Sequence, residues 1–106
     1  MPKYLLEVNY TIDGVKGLLA KGGSARVTAA KELVEGLGGK LESFYFAFGT
    51  TDVYAIADFP DNVSAAAAAV AVSAGGGATA RTVVLLTAEE ADAAAAKKTS
   101  YRPPGT

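Results

Sequence analysis

Five side chains combine polar chemistry with apolar surroundings: Tyr10, Tyr45, Asp52, Tyr54 and Arg81. A phenol on an apolar wall can bind or polarise an aromatic metabolite through its hydroxyl. Asp52 closes a Gly49-Thr50-Thr51-Asp52 corner. A carboxylate beside two hydroxyls can orient a polar substrate, or act as a base if burial raises its pKa. Arg81 is the one charged residue in an apolar run and can grip a carboxylate with its bidentate fork. Each group also has a plainer use, which the pattern favours. Asp and Thr commonly bond nearby backbone in turns. Aromatic residues at every second position are ordinary sheet core or subunit interface. Arg81 can pair with Glu7, Glu42 or Asp52 on a neighbouring strand or subunit.

The remaining composition narrows the chemistry further. The 106 residues include no histidine and no cysteine, which excludes disulfides and thiolate chemistry. A tight transition-metal site is not expected, and Mg²⁺ would need a convergence of Glu7, Glu42, Asp52 and Asp58 that spacing does not reveal. Gly75-Gly76-Gly77 lacks the following Lys-Ser/Thr of a phosphate loop and ends a helix instead of opening one. No metal and no cofactor are therefore expected. Ten basic residues face eleven acidic ones. That balance holds in both halves and argues against nucleic acid and anionic lipid as partners. Met1 to Tyr10 show no export signal, and no run approaches the length of a membrane span, so a cytoplasmic location is expected.

The elements that must position these residues follow from period and punctuation. Tyr4 to Asn9 alternates Tyr4, Leu6, Val8 and Tyr10 with Leu5, Glu7 and Asn9, the period of a strand. Thr11 to Ala20 reads as a short helix ended by Gly22-Gly23. Ser24 is the expected N-cap of a longer helix, with Val27, Ala30, Leu33, Val34 and Leu37 on its inner stripe and Arg26 mostly outside. Leu41 to Phe48 and Val53 to Phe59 form a hairpin about the Gly49 to Asp52 corner. Asp61 or Asn62 caps an alanine-rich helix over Val63 to Ala74, stopped by the glycine triplet. Thr79 to Leu86 is a fourth strand. Thr87-x-x-Glu90 is a capping box that launches a last helix through about Lys98. Residues 1–99 form a single domain, and Ser100 to Thr106 an irregular tail.

The order β-α-β-β-α-β plus a terminal helix predicts an α+β, ferredoxin-like subunit: a four-stranded antiparallel sheet with both helices on one face. Phe44, Phe46 and Phe48 alternate with Leu41, Tyr45 and Ala47. The uncovered face is therefore expected to be apolar as well, with Phe46 part of it, and to be covered by the same face of a second copy.

Several stretches resemble the bacterial GYD-domain family over essentially the whole chain. They are Tyr10 to Lys16, Gly22-Gly23-Ser24-Ala25-Arg26, Leu37-Gly38-Gly39-Lys40-Leu41, Phe44 to Gly49 and Ser100 to Gly105. The resemblance implies a dimeric α/β barrel, a scaffold that serves different activities in different relatives. It carries no catalytic residues across. Gly49 and Asp52 fit the family pattern at the corner, but Thr51 stands where the family's tyrosine would be.

These readings converge on a homo-oligomer whose paired sheets enclose a mainly apolar pocket. The pocket would bind a small apolar or aromatic metabolite, or convert it without a cofactor, with Tyr10, Tyr45, Asp52, Tyr54 and Arg81 around it. The alternative is a non-enzymatic subunit that assembles with itself into a ring or filament through the barrel face, the alanine-rich helix and the tail.

Overall fold

A computed structural model describes all 106 residues. The elements run β1 (Lys3–Tyr10), α1 (Ile12–Lys21), α2 (Gly23–Gly36), β2 (Lys40–Phe46), β3 (Val53–Asp58), α3 (Asn62–Ala74), β4 (Ala78–Leu85) and α4 (Ala88–Ala96). The strands form one antiparallel sheet in the order β2-β3-β1-β4, which places the first strand in the middle and agrees with a ferredoxin-like arrangement. The sheet is open, with β2 and β4 at its edges.

Local chemistry explains most boundaries. Thr11 caps α1 by accepting from the Gly14 N–H at 3.2 Å, and its hydroxyl donates to the Gly76 carbonyl at 2.8 Å. One residue thus starts a helix and ties it to the turn before β4. Asp61, not Asn62, caps α3, accepting from the Ser64 N–H at 2.8 Å. That bond holds the Asp61 carboxyl below its usual value. Its contribution to folding is present above the normal aspartate range and is lost as pH falls through the lowered value. Thr87 and Glu90 complete the capping box of α4, which stops at Ala96 because Lys97 turns extended.

The expectation of a Ser24 cap on α2 is corrected. Gly22, at φ 82°, is the N-cap, while its N–H closes the last turn of α1 on the Leu18 carbonyl at 2.7 Å. One left-handed glycine both ends the first helix and begins the second, so Ser24 falls inside α2 and has no cap to make.

The core lies between the sheet and the α2–α3 layer. Tyr4, Val34, Ala57, Phe59, Ala65 and Ala68 form its buried cluster, with Leu6, Leu33, Leu37 and Leu41 packed against it. The Tyr4 and Phe59 rings meet edge to face at 5.7 Å, and the Tyr4 hydroxyl donates to Asn62 Oδ1 at 2.6 Å. Only nine of the 106 residues are buried, because one face of the sheet is uncovered and the chain beyond β4 is exposed.

A β-bulge decides how β2 is used. Leu41 pairs with Ala57 and Ser43 with Ile56, leaving Glu42 as the extra residue. The insertion shifts the side-chain parity, so Leu41 shares the helix-facing side with Phe44 and Phe46. Phe46 therefore does not lie on the uncovered face as expected. Its ring lies against Gly23 of α2, so closely that a Cβ there would fall 2.9 Å from it, and it meets Phe44 at 5.3 Å. Glu42, freed by the bulge, reaches Lys3 at 3.3 Å, which also binds Asp58 at 2.9 Å.

Beyond β4 the chain leaves the body. Every residue from Leu86 to Thr106 is exposed, in keeping with overall extents of 57 × 33 × 22 Å.

Two glycines of α1 give a paired test. A Cβ at Gly14 would collide with the Gly77 carbonyl, whereas one at Gly17 would meet nothing. Gly14→Ala is expected to destabilise by about 1–3 kcal/mol through forced backbone movement. Gly17→Ala should stabilise by up to about 1 kcal/mol through helix propensity. Urea unfolding of both variants checks this.

Candidate functional site

The sheet separates the five candidate side chains. Tyr45 lies opposite Tyr54, Tyr54 opposite Glu7 and Glu7 opposite Arg81, so these four form one row across all four strands on the uncovered face. Tyr45 is 69% exposed and Tyr54 39%. Arg81 Nε stands 3.9 Å from Glu7 Oε2, and Arg81 Nη2 donates to Thr51 Oγ1 at 3.3 Å. Thr51 is the only buried polar residue, and its hydroxyl is the arginine's hydrogen-bond acceptor. By register, Leu5, Ile56, Val83 and Leu85 share this face, but so do Lys3, Asp58, Glu7 and Arg81. The face is mixed, not uniformly apolar.

Asp52 sits at the end of the sheet. Its carboxylate accepts from the Tyr10 N–H at 2.9 Å, and its own N–H lies 3.0 Å from both the Val8 carbonyl and Asn9 Oδ1. Its carbonyl accepts from the Ala47 N–H at 2.8 Å. In this structure the side chain binds the corner to the end of β1.

Tyr10 points to the other side. With Leu6 and Val8 it lines a cavity of about 310 Å³ between the sheet and the α2–α3 layer. The volume exists because the facing residues are small: Ala29 and Ala30 on α2, Ala68 and Ala69 on α3, Ala55 and Ala80 on the sheet. Leu33, Phe44 and Val72 add larger apolar walls. Tyr10 also borders a shallower groove of about 430 Å³ with Val15, Leu18, Phe46, Phe48 and Asp52.

Arg26 lines the same cavity, although the α2 stripe read from sequence put it mostly outside. The cavity side of α2 carries Arg26, Ala29, Ala30, Leu33 and Val34, spaced i, i+3, i+4, i+7 and i+8. A stripe begun one residue earlier would have found it. Burial pushes the Tyr10 phenol above its usual value; the Arg26 guanidinium opposes that rise and the Asp52 carboxylate adds to it. Together, apolar walls, one phenol and one guanidinium can hold a small molecule with an apolar body.

The fold and this chamber define an α+β, ferredoxin-like domain with a small apolar cavity behind its sheet. The chain belongs to the GYD family: the GYD domain model matches residues 4–95. That span runs from β1 through nearly all of α4. Neither the curated proteins nor the solved structures include a match to the chain. No helix is long and apolar enough to cross a membrane.

The Tyr10 assignment is tested by ultraviolet titration of the tyrosines. One phenol should ionise above the ordinary value of 10.0, and Tyr10→Phe should remove it. Arg26→Gln should raise that phenol further, and Asp52→Asn should lower it. The neutral phenol favours the folded chain, so its contribution to stability is whole below the unfolded value and is lost as pH rises through the raised one.

Proposed function

We propose that this GYD protein is a cytoplasmic homodimer that binds a small apolar or aromatic metabolite in the chamber behind each sheet. The cavity of about 310 Å³ carries this reading, because a concave, mainly apolar site with a few polar groups is what small-molecule sites share. Its size falls at the lower end of small-molecule sites, roughly 300–1,000 Å³. Tyr10 lies in the chamber wall and Asp52 braces the strand end beside it. Tyr45, Tyr54 and Arg81 belong in this reading to the pairing face. Two copies joined there would form the dimeric barrel that the family resemblance implies.

Charge supports a second copy as the occupant of that face. It presents a cation and an anion loosely paired at 3.9 Å beside exposed tyrosine rings, a patch with both members of a charge pair and so capable of matching itself across a two-fold axis. Tyr45→Glu is expected to convert a dimer to a monomer in native mass spectrometry, with the helical circular dichroism of the subunit retained. A wild-type monomer would overturn the pairing.

The chamber is tested separately. Protein purified from its own host should carry excess mass of a few hundred daltons per subunit, roughly a small ligand. Ala30→Leu narrows the cavity and should reduce that excess while leaving the fold intact. Wild-type protein with no passenger, together with an Ala30→Leu variant destabilised by about 1–3 kcal/mol as in an already filled core, would sink the reading.

The exposed arm from Leu86 to Thr106 favours a second use, assembly beyond the dimer. Tyr101 is 74% exposed and Pro103-Pro104 restrains the backbone, so the tail could lie across a neighbour at small entropic cost. Deleting Ser100 to Thr106 should reduce the oligomer size; an unchanged size argues against this use.

A further inference from the structure

We propose that the chamber selects small apolar molecules that carry a carboxylate, with Arg26 binding the acid group at the rim and the alanine-lined interior taking the apolar body. The proposal rests on the chamber reading above and adds the chemical class of its ligand.

Arg26 is the only charged residue lining the cavity. It is exposed overall, so the residue stands at the edge of the cavity and not in its interior. It makes no ion pair and no side-chain hydrogen bond. Its own helix cannot supply a partner, because the positions three and four residues away are Gly22, Gly23, Ala29 and Ala30. Asp52, which bonds the Tyr10 N–H, makes no ion pair with Arg26. Arg81, on the sheet, has both Glu7 and Thr51.

A guanidinium without a protein partner, set over an apolar cavity, suits an amphiphile with one planar acid group, since its parallel donors match the two oxygens of a carboxylate. The Tyr10 phenol is positioned by the same geometry. It feels the Arg26 charge directly, and at neutral pH it is protonated and able to donate to the bound acid. A neutral apolar molecule would fill the walls but leave Arg26 unused; a larger polyanion would find only one cation.

Two isosteric probes, 4-isopropylbenzoate and 4-isopropylbenzamide, are titrated into the full-length protein at neutral pH and followed by calorimetry and by amide shifts of cavity residues. The wild type is expected to bind the benzoate about tenfold or more tighter than the benzamide, as a charge-assisted hydrogen bond would give. Arg26→Gln should bring the benzoate down to the level of the benzamide and leave the benzamide unchanged. Ala30→Leu, which narrows the chamber, should weaken both. Equal binding of the two probes in the wild type, unaffected by Arg26→Gln, overturns the acid selectivity while the chamber stands. Binding of neither probe, with no shift at any cavity residue, overturns the chamber and the proposal with it.

Discussion

Tyr4 sets the spacing on which the rest of the subunit depends. It comes from the central part of the sheet, meets Phe59 edge to face, and donates to Asn62 at the start of α3. One side chain thus ties the sheet to the helix layer by apolar contact and by a hydrogen bond. At this end Ala65 is buried in the same cluster as the two rings, so a small residue of α3 is matched by bulk from below. Along the same strand the inward residues become Leu6, Val8 and Tyr10, and the facing helix residues remain alanine. Nothing supplies the missing volume there. The cavity is the consequence of a tight anchor at one end of the layer and small side chains at the other.

The far end is held open and closed by backbone, not by bulk. The Thr11 N–H donates to the Gly77 carbonyl at 3.0 Å and its hydroxyl to Gly76, which draws the start of α1 onto the turn before β4. Gly14 passes that turn too closely for any Cβ. Asp52 fixes the neighbouring corner by bonding the Tyr10 N–H. Backbone hydrogen bonds to β-strand ends do not collapse when a side chain is small, so the cavity persists between two braced ends.

The caps were legible because they are local. Asp61 and the Thr87–Glu90 box need only a side chain within three residues of an unpaired N–H, and each forms as its spacing indicates, whereas Thr11, read as the first residue of α1, is its cap instead. The four strands and their helices were legible for the same reason, since period and punctuation survive in one dimension, and the family was legible through the resemblance of its motifs. Ser24 failed as a cap because Gly22 already serves two helices. Phe46 was placed on the wrong face because an extra residue, Glu42, reverses parity along β2, and a bulge leaves no mark in an alternation of large apolar residues. Arg26 was missed because a charge on an amphipathic helix is normally solvated, and only the helix packed opposite shows what lies behind it.

The sequence by itself determined the α+β class, the helix starts and stops, and the absence of histidine and thiolate chemistry, because these depend on residue type and near neighbours. The tertiary structure alone decided how the polar groups are shared out. It set Tyr45, Tyr54, Glu7 and Arg81 in one row on the uncovered face, and Tyr10 with Arg26 on the covered one. Strand register and one bulged residue choose a face for every side chain on a strand at once, and register is a long-range pairing that no local run of residues specifies.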